Sequence, residues 1–374
     1  MNQSDLKRNL YMLHGPLANQ GYDWWWHSFT AYHEKTGEAK AFYIEFFLIN
    51  PTLAPESVVL GQDPDNQAAG IKPSYCMIHV GTWGKDHKQL HAYYPVADVK
   101  MKEDVLSLEV DGNQLTEQFT CGKVLVTEDM AMQHPEYMSD AGEMEWNLKI
   151  HKKICYNVGY GASKFFRSLN AFEMFWHAEG MKTEYEGTIC FNGEYYQVIP
   201  EKSFGYADKN WGKNFTSPWV WISSCNLYSH RRKERLKNSV FEVGGGRPKV
   251  FGIPMNRKLL IDFYYEGKEY EFNFSKFWML VRTKFHCYET ANYVHWKVKT
   301  ENATHILIIQ CRCRKEEMLK INYEAPDGSK KHKNLWNGGT GEGKLILYKK
   351  QGNSRILIDR LTFHNAGCEY GEYE

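Results

Sequence analysis

The sequence lacks several features that mark whole classes of protein. Its 46 basic and 45 acidic residues leave a net charge of +1, without the basic excess of a dedicated nucleic-acid surface. No apolar run is long enough to cross a bilayer, and the first residues lack the apolar core of a signal peptide. These absences predict a cytoplasmic protein with no nucleic-acid partner and no stable membrane insertion, although peripheral membrane contact stays open.

Paired cysteines and metal-ligand clusters are also missing. The nine cysteines are an odd number without a C-x-x-C pair, and Cys311 and Cys313 simply share one face of a predicted strand. His79, His87 and His91 lack the helix or the carboxylate partner of a recognisable metal site. We therefore predict no disulfide framework, no metal and no cofactor.

Aromatic residues, by contrast, are abundant. The chain has 12 Trp, 24 Tyr and 20 Phe, which together make 15% of it. Such residues fit half-buried pleated surfaces, so they favour a β-rich protein, and they can also line an apolar pocket. A length of 374 residues exceeds one ordinary core and predicts two domains.

Turn signals divide the chain into many short strands. The most distinct hairpin signals lie at 111–113 and 192–193. Residues 51–73 and 244–248 are predicted as loops. Helical spacing of aromatic residues predicts one helix over 163–176, with a strand as the alternative. This pattern is typical of antiparallel sandwiches or barrels. The predicted strands are 21–29, 41–49, 75–80, 89–94, 105–110, 114–119, 123–126, 145–150, 184–191, 194–199, 219–227, 239–243, 259–265, 269–274, 285–288, 295–298, 306–310, 319–323, 344–348 and 356–363.

An internal repeat underlies these strands. The Trp-x-Trp pattern at 24–26 returns at 219–221, each time followed by a polar turn and an apolar strand. Residues 203–212 resemble 362–371, because both carry Phe in second place and end in an aromatic residue and Gly. The repeat predicts two copies of one β-barrel unit.

A polar loop is predicted at 206–212, and it is the leading candidate for chemistry. Asp208 stands there beside Lys209, Asn210 and Trp211. A buried carboxyl next to an indole can have a raised pKa and donate a proton near neutral pH, and an aromatic face can stabilise a carbocation. The alternative is a structural corner, in which Asp208 and Asn210 bond loop backbone and Trp211 closes the barrel end.

The strand at 22–27 offers a second candidate. Asp23, Trp25 and His27 share one face, and the aromatic residues between them share the other. If the first face is inside the barrel, a polar pair flanks an indole in a pocket. If the second is inside, Asp23 and His27 face water. The pattern leaves both open.

Three segments, 187–194, 206–212 and 219–226, resemble the tocopherol cyclase family. Its relatives include carotenoid hydratases of the hydroxyneurosporene synthase type and Diels–Alderases built on two lipocalin-like barrels. The cyclases carry Glu-Lys-Asn-Trp-Gly where this chain has 208–212, and an N-terminal Phe-Glu-Gly-Trp-Tyr element corresponds to 22–26. The chain departs from this pattern at Asp208, which replaces Glu, and at Trp24, which replaces Gly.

The resemblance implies an all-β fold of two tandem lipocalin-like antiparallel β-barrels, which we place at 1–212 and 213–374. It also implies a hydrophobic ligand, an isoprenoid or another lipid, in an aromatic cavity. An acid would protonate a prenyl double bond, and a phenol oxygen (in a cyclase) or water (in a hydratase) would trap the cation. The expected catalytic residues are Asp208, Asp23 and Asn210. The expected substrate-binding residues are Trp25, His27, Tyr206, Trp211, Trp219 and Trp221.

Two other functions stay open at this point. Lipocalin-type barrels commonly only carry ligands, so a non-catalytic binder of a lipophilic molecule is the main alternative. A purely structural pair of barrels is the third. Fold analogy alone does not decide among them, and the sequence does not indicate the substrate or the oligomeric state.

Overall fold

The computed structural model describes residues 6–156, 173–247, 249–250, 253–254, 256, 258–321, 323–329 and 335–372. The strands before residue 213 are β1 (Tyr22–His33), β2 (Ala39–Ile49), β3 (Tyr75–Thr82), β4 (Lys88–Tyr94), β5 (Lys100–Met101), β6 (Ser107–Val110), β7 (Asn113–Thr116), β8 (Phe119–Val126), β9 (Gly142–Tyr156), β10 (Met174–Phe191), β11 (Glu194–Val198) and β12 (Gly205–Gly212).

The strands after residue 213 are β13 (Trp219–Ser224), β14 (Asn226–Ser229), β15 (Glu234–Arg235), β16 (Ser239–Gly246), β17 (Lys249–Val250), β18 (Ile253–Pro254), β19 (Lys258–Tyr265), β20 (Lys268–Asn273), β21 (Arg282–Glu289), β22 (Tyr293–Glu301), β23 (His305–Arg314), β24 (Leu319–Ile321), β25 (Leu335–Gln351) and β26 (Ser354–Gly371). The described α-helices are α1 (Pro64–Ala69) and α2 (Glu128–Gln133). Short 3-10 turns lie at Gly15–Ala18, Val96–Asp98, Pro135–Tyr137, Pro200–Lys202, Phe277–Met279 and Lys315–Glu317.

Two large antiparallel sheets make up the fold. The first has the order β4-β3-β2-β1-β11-β10-β9-β8-β7-β6-β5, with β12 paired to both β1 and β10. The second runs β20-β19-β16-β13-β26-β25-β23-β22-β21, with β14, β15 and β24 off this path and β17-β18 as a separate hairpin. Sequential neighbours pair throughout most of both, as in up-and-down barrels. The prediction of an all-β, lipocalin-like pair of antiparallel barrel sheets with few short helices is confirmed.

Burial explains why some strands alternate in sequence and others do not. In β9 every second side chain from Met144 to Ile150 is buried, so one face meets the core and the other meets water. In β1 the side chains from Tyr22 to Ala31 are all buried. The reason is that one face of β1 lines the interior of the first sheet and the other meets the second sheet.

At the contact between the two sheets, here called the junction, aromatic side chains pack against the backbone of glycines. A Cβ atom placed on Gly244 would lie 2.3 Å from the Trp176 indole, and one placed on Gly339 would lie 2.1 Å from the Trp83 indole. Side chains of such size can approach a strand this closely only at glycine. Residues 244–246 of the predicted 244–248 loop belong to β16, so that part of the prediction was wrong. Gly244 makes room for the Trp176 indole, and Gly245 and Gly246 lie close to the backbone of Lys258 and Pro218.

Strand β13 also alternates about the junction. Trp219 and Trp221 pack in the cluster that joins the two sheets, whereas Val220 and Ile222 pack inside the second sheet. In β23, Cys311 and Cys313 share the buried face, as predicted. The two sides of β13 therefore belong to different cores.

Each sheet pairs its first long strand with its last. Tyr22 of β1 lies opposite Gly212 of β12, and Trp219 of β13 lies opposite Gly371 of β26. The repeated positions are offset by two residues in this pairing, because Trp24, the counterpart of Trp219, lies opposite Asn210. The division into two barrel domains at 1–212 and 213–374 stays a prediction, as does their origin as two copies of one unit.

Two further segments bear on the predicted elements. The 51–73 loop contains the helix α1. Of the predicted helix at 163–176, residues up to 172 lie outside the described ranges, and from Met174 the chain is strand β10. None of the helices in the described ranges is long and apolar enough to cross a membrane.

Candidate functional site

The segment predicted as a polar loop at 206–212 is the fully buried strand β12. The loop prediction was wrong because the segment is a continuous strand, and the partners of its charged residues lie on other strands. Alternation sends Tyr206, Asp208 and Asn210 toward the junction, and Lys209 and Trp211 into the first barrel. The strand thereby serves two separate polar groups.

Asp208 is the centre of the junction group. Its Oδ2 accepts hydrogen bonds from Trp176 Nε1 at 2.7 Å and from the Tyr206 hydroxyl at 3.0 Å. Its Oδ1 has no hydrogen-bond partner among the described residues. Burial raises the pKa of Asp208 well above its usual range, although the two donated bonds favour the ionised form. Burial thus favours the protonated form of a carboxyl that has one oxygen without a partner in the described ranges.

A second carboxyl, Glu242 of β16, shares the same phenol. The Tyr206 hydroxyl lies 3.1 Å from Glu242 Oε1, which also accepts from Trp221 Nε1 at 2.6 Å. Burial raises the pKa of Glu242 well above its usual range. Because one hydroxyl donates only one proton, the Asp208–Tyr206–Glu242 bridge is complete only when a carboxyl is protonated.

A third carboxyl, Glu369 of β26, anchors the other tryptophan of β13. Its oxygens accept from Trp219 Nε1 and from Asn337 Nδ2, both at 2.5 Å. Asn337 Oδ1 in turn accepts from Trp83 Nε1 at 2.7 Å. Burial raises the pKa of Glu369 to about 7. Both Trp219 and Trp221 are thus held by carboxyl groups on neighbouring strands.

Asn210 is two residues from Asp208 along β12, so the two side chains lie on the same face. Its Oδ1 accepts from the Tyr22 hydroxyl at 2.8 Å, while its Nδ2 has no partner in the described part of the chain. Buried polar atoms in folded proteins normally have partners, so an unpaired amide beside an unpaired carboxyl oxygen indicates a place for water or a ligand.

A further polar chain lies on the other side of Trp26. In cross-strand register, Trp26 stands between Asp208 on β12 and Glu45 on β2. Glu45 Oε2 lies 2.9 Å from His79 Nδ1, and His79 Nε2 lies 3.0 Å from the Tyr43 hydroxyl. Burial raises the pKa of Glu45 to about 8 and lowers that of His79 to about 3. The pair is therefore held as a neutral acid and a neutral imidazole.

The other predicted residues face the interior of the first barrel. Asp23 forms an ion pair with Lys209 and accepts from the Met12 backbone N–H at 2.8 Å. The Lys209 ammonium lies 3.9 Å from the ring centre of Trp25 and 5.5 Å from that of Trp211. All these side chains are buried, so the orientation left open by the sequence is decided, and Asp23 does not face water.

His27 belongs to the same interior. Its Nδ1 donates to the Tyr185 hydroxyl at 2.9 Å, because that hydroxyl itself donates to the Tyr206 carbonyl at 3.0 Å. Burial lowers the pKa of His27 to about 3, so the ring is neutral. The structure thus brings together Tyr206, Asp208, Asn210, Trp219 and Trp221, and separates Asp23, Trp25, His27 and Trp211 from them by the thickness of one sheet.

An apolar cleft opens beside the junction group. It is lined by Trp24, Met174, Phe215, Thr216, Trp219, Tyr323 and Leu335. The free space in it is about 10 Å³, which is room for about one water molecule. The Trp176 and Trp219 rings meet edge to face with centres 6.0 Å apart and thus connect the cleft to Asp208. A larger ligand would have to displace these side chains.

Sequence reasoning missed Trp176, Glu242, Glu369 and the Glu45–His79 pair. One signal was available for Glu369, since the repeat places it where Asn210 stands in the first copy. The others are 32 or more residues from Asp208 in the sequence. The sequence alone does not show which strands pair or in which register. Within the described ranges, no three His, Cys, Asp or Glu side chains are placed to hold a metal ion.

Comparison with known proteins places this architecture in a sequence family. The family model described as tocopherol cyclase-like matches residues 52–372. A protein of Oryza sativa subsp. japonica named as a probable chloroplastic tocopherol cyclase is 32% identical over 142 residues, which are 37% of this chain and 27% of that protein. The chain thus matches only about a quarter of that relative's length.

Solved structures with related architecture are more distant. A Nitrosomonas europaea protein assigned as an AttH is 12% identical, with a TM-score of 0.46 over 94% of this chain and 93% of the other. Kievitone hydratase from Nectria haematococca is 11% identical, with a TM-score of 0.43 over 99% of this chain and 92% of the other.

Proposed function

The chain belongs to the tocopherol cyclase-like family, and from that premise we propose that it catalyses acid-initiated cyclisation or hydration of a prenylated, hydrophobic substrate at the junction, without a cofactor. The observation that carries the proposal is Asp208. It is a buried carboxyl whose pKa burial raises, with one oxygen anchored by an indole and a phenol and the other oxygen without a partner among the described residues.

Protonation of the alkene begins the reaction. The alkene π electrons take the Asp208 proton to form a C–H bond, which leaves a tertiary cation on the adjacent carbon and a carboxylate on Asp208. The bonds from Trp176 and Tyr206 stabilise that carboxylate as its charge develops. Aromatic faces at the junction, chiefly those of Trp219 and Trp221, stabilise the cation by their π electrons.

Capture of the cation by oxygen completes the reaction. A lone pair of the substrate's phenol oxygen, or of water, forms the C–O bond, and the proton released from that oxygen returns to Asp208. Atoms and electrons balance, and no oxidant is needed. The unpaired Asn210 Nδ2 lies on the same face and would donate a hydrogen bond to the attacking oxygen, orienting it.

The residues inside the first barrel have a different proposed role. An acid function for Asp23, or substrate contacts for Trp25, His27 and Trp211, would require a second pocket on the opposite side of the sheet. The ion pair between Asp23 and Lys209 makes Asp23 an acceptor already in use. We therefore assign proton transfer to Asp208 and support of β12 to Asp23.

The test uses the variant Asp208→Asn, with an ortho-prenylated hydroquinone as probe in deuterated water. Wild-type protein should give either a cyclised isomer of the probe, in which the newly formed C–H bond carries deuterium, or the product of water addition. The variant should lose about 100-fold or more of this turnover, because general acid catalysis contributes that much. Mass spectrometry and far-ultraviolet circular dichroism follow product and folding.

Asp359→Asn is the matched control. Asp359 is a buried carboxyl of β26 whose Oδ2 accepts from the Ser229 and Tyr265 hydroxyls at 2.5 and 2.9 Å, and its hydrogen-bond partners among the described residues lie outside the junction group. Its variant should keep wild-type turnover per folded molecule. Undiminished turnover in Asp208→Asn would refute the acid role, and tight probe binding without any product in wild type would favour the non-catalytic carrier.

A further inference from the structure

The segment after β20 exposes large apolar side chains. Trp278 is 66% exposed and Leu280 is 74% exposed. Backbone bonds from Lys276 N–H to Asn273 O (3.2 Å) and from Met279 N–H to Lys276 O (2.9 Å) hold this segment against the end of β20. Leu280 has φ of 49°, a left-handed conformation that a bulky residue rarely adopts. The chain accepts this strain where it presents Leu280 to solvent.

A third exposed apolar residue lies at the same edge. Ile253, on the β17–β18 hairpin, is 71% exposed. That hairpin connects β16 to β19, whose adjoining ends are Gly246 and Lys258 in direct register. Leu260, two residues further along β19, is opposite Asn273. Ile253, Trp278 and Leu280, here called the apolar tip, therefore project from one edge of the second sheet.

The same edge carries part of the candidate site. Gly246 is opposite Trp219 of β13, which lines the cleft. Trp219 is in turn opposite Gly371, and Gly371 is opposite Leu335, another residue of the cleft. The apolar tip and the cleft thus lie along one cross-strand row, on loops and strand ends that adjoin.

A basic surface begins where the tip ends. Arg282 and Lys284 of β21 and Lys297 and Lys299 of β22 are all exposed on the outward face. Lys284 stands directly opposite Lys299. The carboxylate on this face is Glu301, which stands opposite Arg282 and also pairs with Lys350 at 3.0 Å, so the cations around it outnumber it. The whole chain has a net charge of only +1, so this concentration of cations is local.

We propose that the apolar tip and the basic face of β21 and β22 dock on a lipid bilayer that contains anionic phospholipid. Trp and Leu at exposed turns enter the boundary between head groups and acyl chains, and adjacent Lys and Arg attract anionic head groups. A nucleic acid would use the cations but would leave three exposed aliphatic and indole side chains unexplained. The docking would bring the cleft to the phase in which a prenylated lipid dissolves.

Only that last purpose rests on the proposed function. The docking itself rests on the exposed tip and the cations. Membrane binding without turnover would leave the docking intact and refute the chemistry, whereas turnover of detergent-dissolved probe without membrane binding would do the reverse.

Flotation with vesicles tests the docking on the full chain. Wild-type protein should float with vesicles of phosphatidylcholine and phosphatidylglycerol (7:3) at low salt, and about tenfold less with phosphatidylcholine alone. Trp278→Ser/Leu280→Ser and Lys284→Glu/Lys299→Glu should each lower partitioning about tenfold. Added salt should weaken the wild type and the tip variant but change the charge-reversal variant little.

Two control variants make the outcome specific. Met132→Ser removes an apolar side chain that is 71% exposed on α2, and Lys85→Glu/Lys102→Glu reverses two exposed charges of the first sheet. Both should float like the wild type. Equal loss in tip and control variants, flotation independent of anionic lipid, or salt-sensitive binding to single-stranded RNA in place of vesicles would each overturn the proposal.

Discussion

Two aspartates with opposite surroundings define the site at the scale of single residues. Asp23 faces the Lys209 ammonium, whereas Asp208 faces an indole N–H, a phenol and other carboxyls. A carboxyl beside a cation stays ionised, and one beside neutral donors in an apolar region keeps its proton. The same sheet therefore places an ion pair on one face and, on the other, a carboxyl whose pKa burial raises.

The buried ion pair predicts the cost of removing Asp23. Asp23→Asn would leave Lys209, which is wholly buried and whose pKa burial already lowers well below its usual range, without its counter-charge. We expect the free energy of unfolding to fall by about 3–5 kcal/mol. The double variant Asp23→Asn/Lys209→Met should recover much of this, because it removes both charges. Urea denaturation of the three proteins checks this, and equal stability of single variant and wild type would contradict it.

The Glu45–His79 pair predicts a pH dependence of stability. Burial raises the pKa of Glu45 from 4.5 to about 8, so the folded state holds a proton that the unfolded state releases, and stability falls as pH rises through this interval. Burial lowers the pKa of His79 from 6.5 to about 3, which makes stability rise with pH below 6.5. The two effects oppose each other up to pH 6.5, and only that of Glu45 remains above it.

Glu45→Gln, which imitates the neutral acid, should remove that remaining effect. From pH 6.5 to 8 the wild type should lose up to about 2 kcal/mol more unfolding free energy than the variant, at about 1.4 kcal/mol per pH unit. Denaturation at the two pH values measures the difference. Parallel pH curves for the two proteins would show that Glu45 is ionised in the folded state.

At the scale of elements, β16 provides a surface on which Trp176 of the first sheet packs. A Cβ on Gly244 would stand 2.3 Å from the Trp176 ring, so Gly244→Ala must displace the indole that holds Asp208. We expect a loss of about 1–3 kcal/mol in stability and a loss of turnover beyond that explained by unfolding. Val243→Ala, on the other face of β16, should lower stability while turnover per folded molecule persists.

The strands also show how far sequence alone could lead. Period-two patterns and turn residues predicted the all-β fold, and Asp208 was singled out because of its aromatic neighbours. The pattern could not tell which face of β1 is inside, since both faces are apolar enough to be buried. It also misread β12, because the partners of Asp208 and Lys209 are on strands whose register depends on distant pairing.

At the scale of the whole molecule, the junction predicts mutual dependence of the two sheets. Separated at 212/213, each half would expose indoles that now lie against the other half, such as Trp176 on Gly244 and Trp83 on Gly339. Exposed apolar surface of this kind favours association. Fragments 1–212 and 213–374 should therefore copurify when coexpressed and aggregate when expressed singly. Two stable, non-interacting fragments in size-exclusion chromatography would contradict this.

The pairing of first and last strands within each sheet has a consequence for ancestry. Tyr22 lies beside Gly212 and Trp219 lies beside Gly371, so each sheet has its beginning and its end next to each other. A copied gene segment coding for such a unit can be joined tail to head by a link as short as residues 213–218, without rebuilding either copy. Because each unit brings its own two ends together, duplication in tandem requires only a short linker. Later divergence then concerns the faces by which the two copies pack against each other.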